Sequence, residues 1–295
     1  MNMTGYKAIR VTEGAVRARR VSWGKHSLRA VLYLILMAGS VAMIVPFLWM
    51  ISTSLKSSNE MYMFPPIWIP KQILWANYSY MFQNAPWGLY FFNTVKITLF
   101  VIIGQLVTSS MGAYAFARLR FPGRDAMFLM FLGTMMIPYQ VTMIPIFKII
   151  KLLGWLDTHY ALIIPGLFSA FGTFLLRQFM LTIPKELEQS AMIDGCGYPR
   201  IFWHVILPNT KPALTTLAIF AFMGTWNDFL APLIYINSDQ LKTLSLGLAT
   251  FQGTYTNQWS YLMAGAVIVT MPVLIMYACA QRYFVEGITM TGLKE

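Results

Sequence analysis

The sequence predicts an all-α membrane protein, a polytopic helical bundle of six transmembrane helices. Three observations carry that reading. Of 295 residues, 57% are hydrophobic and only 11% are charged, whereas a soluble domain carries about 25% charged residues. Six apolar windows, at about 28–52, 91–116, 126–148, 160–181, 213–236 and 260–284, are each long enough for a hydrocarbon core that takes roughly 20 helical residues to cross. The basic residues fall between these windows and favour alternate connections.

The first window follows a polar, basic segment, residues 1–27, and no A-x-A-like cleavage site comes after it. It reads as a retained span and not as a signal peptide. Pro46, Pro138, Pro145, Pro165, Pro232 and Pro272 lie within windows. Proline is tolerated in the membrane where neighbouring helices or water satisfy the freed backbone groups, so the spans are expected to pack on one another. With the N-terminus inside, sixteen basic residues are internal, among them Lys7, Arg20, Arg118, Arg120, Arg124, Arg177, Lys185, Arg200, Arg282 and Lys294. Five are external: Lys56, Lys71, Lys148, Lys151 and Lys242. That asymmetry places both termini inside. The spans then occupy residues 28–284, and 285–295 form an internal tail. The outer segment 53–90 is rich in proline and aromatics, as suits a headgroup-level element.

The net charge of +11 is spread between apolar runs, which argues against a nucleic-acid partner. Cys196 and Cys279 sit in no CxxC or Cys/His cluster and read as free thiols. His26, His159 and His204 have no metal-ligand spacing, so no metal site is expected. No G-x-x-x-x-G-K-[ST] and no dinucleotide fingerprint occurs, and no hydrolase pattern is recognisable. No catalytic residue and no cofactor are expected in this chain; energy for moving a solute has to come from an ion gradient or another chain. Gln105, Gln140, Ser169 and Thr173 are expected to make interhelical hydrogen bonds, and Arg177 to snorkel to the headgroups.

One internal connection, about 182–212, departs from the apolar background: ELEQSAMIDGCGYPRIFWHVILPNTKPAL. Pro184 can open a helix, with Glu186 and Glu188 near its N-terminus, where the macrodipole favours negative charge. Gly195 can take the left-handed conformation that ends helices. A second helical run, IFWHVIL, comes after Pro199, and Pro208 and Pro212 punctuate the chain between that run and the fifth window. The segment therefore reads as two short helices joined at an angle by a glycine turn. It is either a connector on the bundle's own face or a helix presented to an internal partner.

Those residues resemble the cytoplasmic coupling loop of permease subunits in bacterial ATP-binding-cassette importers. That pattern has a Glu-Ala-Ala triplet, an Asp-Gly and an Ile-x-Leu-Pro-type ending. Here the matches are Gln189-Ser190-Ala191, Asp194-Gly195 and Val205-Ile206-Leu207-Pro208, with Gln189 in place of the usual Glu and Glu188 one place earlier. TWNDFLAPLIY, TLSLGLATFQG and RYFVEGITMTGLKE extend the resemblance to carbohydrate permeases of the maltose type, and to the smaller, six-span subunit of that pair.

The resemblance implies the type I importer permease fold in the bacterial inner membrane. It implies a second permease subunit as heterodimer partner, two cytoplasmic ATPases carrying ATP and Mg, and an extracellular solute-binding protein delivering a sugar. ATPase coupling is then expected from Glu188, Gln189, Ser190, Ala191, Ile193, Asp194, Gly195, Leu207 and Pro208. A substrate pathway is expected at Trp226, Asn227 and Asp228, since an acid within a span usually faces a cavity or a partner. Trp226 would stack on the sugar, unless Asp228 merely holds a helix pair together. The outer loop 237–259 would reach the binding protein through Leu248, Thr250, Phe251, Gln252 and Gly253. Two alternatives remain open: an importer for a non-sugar solute such as glycerol phosphate, and an ion-coupled secondary transporter. The second predicts internal repeats and midplane carboxylates; no clear repeat is visible, and Asp228 is the one convincing intramembrane acid.

Overall fold

The computed structural model describes residues 23–254 and 258–292, with side chains for 28–254 and 258–281. Lys7, Arg20, Arg282, Lys294 and the whole RYFVEGITMTGLKE motif therefore lie outside the described side chains. By packing, the chain divides into Met1–Leu48 and Trp49–Glu295. The first unit is represented by the early part of α1 (Trp23–Ser54), an apolar helix with Pro46 inside it.

The second unit is entirely helical among the described residues. The short α2 (Ser58–Met61) and α3 (Ala76–Asn84) precede α4 (Trp87–Arg118), the long central helix. Then come α5 (Arg124–Gly133), α6 (Tyr139–Leu152), α7 (Tyr160–Gly166) and α8 (Ala170–Thr182). The internal connection folds as α9 (Glu186–Ile193), α10 (Tyr198–Ile201), a π-helical turn (Phe202–Ile206) and α11 (Leu207–Asn209). Helices α12 (Lys211–Trp226), α13 (Leu230–Tyr235), α14 (Leu244–Thr254) and α15 (Trp259–Gly292) complete the chain.

Among the described residues, four helical segments are long and apolar enough to cross a membrane: Leu28–Ser54, Trp87–Arg118, Tyr160–Thr182 and Trp259–Gln281. Two bent pairs raise the number to six: Arg124–Met136 with Tyr139–Leu152 at 100°, and Tyr198–Asn209 with Lys211–Trp226 at 77°. The third window, 126–148, is thus not one rod. Its bend falls at Ile137-Pro138, where proline disfavours helix in the residue before it. The fifth window, 213–236, is also broken, because α12 ends at Trp226 and α13 begins only at Leu230. Sixteen residues of α12 rise only about 24 Å, short of a hydrocarbon core of about 30 Å.

Helix α4 packs along α8, α12 and α7. The close approach needs a missing side chain: a Cβ on Gly172 of α8 would lie 2.7 Å from Ser109 Oγ and 2.8 Å from Leu217 Cδ1, so α4 and α12 both press on that point. Gln105 Nε2 donates to the Gly166 carbonyl at 2.9 Å, the expected interhelical bond. Ser169 and Thr173 bond within their own helix instead: Ser169 Oγ caps α8 by accepting from Gly172 N, and Thr173 donates back to the Ser169 carbonyl. Arg177 does not snorkel. Its guanidinium lies 4.1 Å from the Phe128 ring centroid and Nε donates to the Phe116 carbonyl, tying α8 to α5 and α4.

Gly172→Val is expected to force α4, α8 and α12 apart, at about 1–3 kcal/mol for an overpacked interior. The check is a detergent melting curve, which should move down, while Gly133→Ala, with open space around its Cβ, should leave it in place.

Candidate functional site

The internal connection is held on the bundle by an apolar seat. Ile201 and Ile206 are fully buried and Phe202 nearly so, against Ala113, Tyr114, Ala117, Leu176 and Met180. Burying each of the two isoleucines contributes about 1.5–3 kcal/mol. Pro208 explains the π-helical turn. It has no N–H for the His204 carbonyl, and its ring crowds that group. The chain widens by one residue, and Leu207 N donates to the Phe202 carbonyl.

The glycine turn forms as its sequence predicts. Gly195 has φ +79°, Cys196 N donates to the Ala191 carbonyl, and Gly195 N donates to the Met192 carbonyl. That pair of bonds is a Schellman motif closing α9, and it turns the chain sharply into α10.

At the top of this seat Arg118 ends α4. One of its Nη2 contacts goes to the Met180 carbonyl at 2.5 Å and another to the Ile183 carbonyl at 2.6 Å, both at the end of α8. Its Nε lies 2.9 Å from Glu188 Oε1 of α9, the two side chains being 3% and 10% exposed. The Nε–H is not aimed along that contact, so Glu188 is held by charge more than by a directed hydrogen bond. Burial pushes the Glu188 carboxyl up, against the pull of Arg118 and then Lys185. A raised folded value means that ionisation costs loop stability as pH climbs from the ordinary carboxylate value through the raised one, and not below it.

These contacts sort the coupling residues into two faces. Glu188, Ala191 and Leu207 turn towards the bundle. Glu188 is therefore not a surface group offered to a partner. Outward stand Gln189, Ser190, Ile193, Asp194, Gly195 and Pro208, with Leu187 and Met192 each 43% and Ile193 87% exposed. An eight-residue helix with three apolar side chains in the open, on a rigid base, is built to be covered. Hydropathy could not find Arg118, because a positive-inside residue and a buried clasp carry the same letter.

The second candidate site is the break between α12 and α13. Trp226 is buried; its indole N–H donates to the Val269 carbonyl at 3.1 Å, and Phe91 and Phe222 pack on its ring. It ties α12 to α15, and it is not available for the expected stacking on a sugar. Asn227 donates back to the Met223 carbonyl and is exposed. Asp228 Oδ1 accepts from Ala231 N at 3.3 Å, capping α13. It also lines a cleft of about 120 Å³ with Gln105, Thr225 and Thr243. Ligand pockets run to about 300–1,000 Å³, so this cleft by itself is too small to enclose a sugar.

The stretch 237–259, expected as a loop, is mostly helix. Leu244 and Phe251 of α14 are buried against Trp87 and Tyr90, and Leu248 is half-buried. Thr250, Gln252 and Gly253 stand exposed near the end of α14.

The arrangement is that of a polytopic helical membrane protein with one short, partly apolar helix turned outward. The sequence profile of the family described as "Binding-protein-dependent transport system inner membrane component" matches residues 105–290. The chain belongs to that family. It is 36% identical over 256 residues to the arabinooligosaccharides transport system permease protein AraQ of Halalkalibacterium halodurans, covering 85% of this chain and 91% of the relative. It is 31% identical over 265 residues to the sn-glycerol-3-phosphate transport system permease protein UgpE of Yersinia enterocolitica, covering 87% and 94%. The fold superposes on a chain of a bacterial ABC transporter involved in the import of the acidic polysaccharide alginate, with TM-score 0.78, 24% identity and coverage of 89% and 98%.

Arg118→Gln is expected to leave the Ile183 carbonyl without its side-chain donor, the Met180 carbonyl with Ile183 N alone, and Glu188 without its counter-charge. An unsatisfied buried group costs about 1–3 kcal/mol. Limited proteolysis should then cut between 185 and 200 roughly tenfold faster or more, and Glu188→Gln in the same chain should restore part of the protection.

Proposed function

We propose that the chain is one of two permease subunits of an ATP-binding-cassette importer for a sugar or oligosaccharide. The observation that carries it is the outward face of α9: Leu187, Met192 and Ile193 exposed on a helix that is clamped to α4 and α8. A partner ATPase receives that helix in a cleft and, on closing over ATP and Mg, displaces it. The displacement passes through the Arg118 clasp and the Ile201–Ile206 seat to the ends of the spans. ATP hydrolysis belongs to the ATPases, in line with the lack of a Walker motif in this sequence.

On this reading both termini and the 182–212 loop are cytoplasmic, and the α13–α14 end faces outward. Asn227 and Asp228 contribute a polar wall, completed by the partner permease across the translocation path. Thr250, Gln252 and Gly253 face the solute-binding protein. A carbohydrate cargo rests on the arabinooligosaccharide relatives. The glycerol phosphate relative keeps a phosphorylated polyol as the second reading, and the cognate binding protein's ligand decides between them.

Two experiments test this function. Single cysteines at Gln240 and at Arg200, in a chain lacking Cys196 and Cys279, should react with an impermeant thiol reagent differently: Gln240→Cys in intact cells, Arg200→Cys only after permeabilisation. Labelling of Arg200→Cys in intact cells would overturn the topology. Gly195→Val puts a β-branched side chain at φ +79°, costing about 1–2 kcal/mol or more. The variant complex should insert and pair normally, yet hold less ATPase or lose the stimulation of hydrolysis by loaded binding protein. Wild-type ATPase content and wild-type stimulation would make the loop a mere connector.

A further inference from the structure

The end of α1, the turn containing α2 and the start of α15 enclose a cavity of about 320 Å³, lined among others by Trp49, Thr53, Lys56, Glu60, Trp259 and Met263. We propose that this cavity is a binding site for a phosphate-bearing headgroup, with Lys56 as the anion anchor and Thr53 as a hydroxyl donor. The proposal is independent of how the permease is powered.

Lys56 is only 2% exposed, and its Nζ stands 4.0 Å from the Trp49 ring centroid. Among the described residues no carboxylate forms an ion pair with it. A buried ammonium whose neighbour is an aromatic face is costly without an anion. Burial accordingly lowers the Lys56 pKa, while Glu60 opposes that shift.

Glu60 lies near but is committed elsewhere. Its Oε2 accepts from Ser57 N at 3.2 Å and its Oε1 from Lys71 N at 3.1 Å, which closes the 57–71 loop. With Lys71 beside it, the group holds two lysines to one carboxylate and keeps a residual positive charge. Thr53 Oγ1 is buried without a hydrogen-bond partner, an unfavourable state unless something supplies an acceptor. One phosphate group would meet both needs, accepting from Nζ and from the hydroxyl, and hydrogen bonds between charged groups are the strong ones.

The surroundings are rigid. Asn77 Nδ2 donates to the Ser54 carbonyl at 2.8 Å and to the Lys56 carbonyl at 3.0 Å, Leu74 N donates to the Leu55 carbonyl, and the Ser54 and Tyr78 hydroxyls are 2.8 Å apart. The chain cannot easily fold Lys56 out into water. Its position also matches the ligand: Lys56 lies two residues beyond the end of the apolar helix α1, where headgroups begin. Trp68, Ile69 and Trp75, 57%, 81% and 67% exposed, form an interfacial belt near it in sequence. The same chemistry comes from two sources, a phospholipid headgroup or a free phosphate ester.

The test is native mass spectrometry of the purified full-length protein in a neutral detergent. It is titrated separately with short-chain phosphatidylglycerol, with glycerol 1-phosphate and with a diacylglycerol that lacks phosphate. Both or one of the phosphate compounds should bind saturably, and the diacylglycerol should not. Lys56→Met should weaken that binding about tenfold or more, the loss of about 1.4 kcal/mol. Thr53→Val, which keeps the shape and so holds the test if Lys56→Met fails to fold, should weaken it several-fold. Binding of the lipid alone assigns the site to the bilayer, and binding of glycerol 1-phosphate alone or equally well assigns it to a free ester. No phosphate binding, equal binding of diacylglycerol, or wild-type binding by both variants would overturn the proposal.

Discussion

The Arg118 guanidinium stands where three segments end: α4 behind it, the last carbonyls of α8 on one side, and the first turn of α9 on the other. The Ile183 carbonyl just past α8 has no helical donor, the Met180 carbonyl accepts from Ile183 N as well, and a buried guanidinium requires acceptors and a counter-charge. Each solves the other's problem only if α4, α8 and α9 meet at one spot. The apolar seat under Ile201, Phe202 and Ile206 supplies most of the attachment free energy, being larger in area. The clasp adds charge pairing at one point of α9, Glu188, and the Schellman turn at Gly195 fixes how α9 meets α10. Leu187, Met192 and Ile193 are left exposed by that arrangement.

A rigid base changes what an exposed apolar helix can do. Alone, eight residues would not hold a helical conformation in water. Clamped at Glu188 and turned back at Gly195, the same residues hold a helical conformation on the bundle, as the proposed transmission to the spans requires. At the other end of the chain the logic differs. At the α12–α13 break helix continuity is lost and Asp228 stands in the wall of a narrow cleft, while Trp226 anchors the break to α15. Strong packing beside a polar discontinuity suits a pathway that opens and closes against a second subunit.

Much of this was legible in the residues. Membrane class, the helical bundle and the angled pair of short helices follow from apolar windows and from Gly195 and Pro199. Breaks were less legible: a hydropathy window sums over Ile137-Pro138 and over Asn227–Phe229 without registering that the helix stops. The stretch containing α14 passed for a loop because Ser, Thr and Gly dilute its apolar face, although Leu244 and Phe251 bury it as firmly as any span. The inward turn of Glu188 was invisible too, since its partner lies 70 residues away in sequence. Asn77, a single polar residue in the outer segment, holds the 54–56 backbone in place through the Ser54 and Lys56 carbonyls.

On this account α9 and the C-terminal end of α8 move as one body. Spin labels at Gln189→Cys and Leu181→Cys, in the assembled complex lacking Cys196 and Cys279, measure that directly by pulsed electron paramagnetic resonance with and without nucleotide. A single narrow distance, unchanged between the two states, is the predicted result. A shift approaching one helical turn, about 5 Å, or a distribution that broadens when ATP binds, would mean that α9 slides over the bundle, and the clasp would not be the transmitting contact.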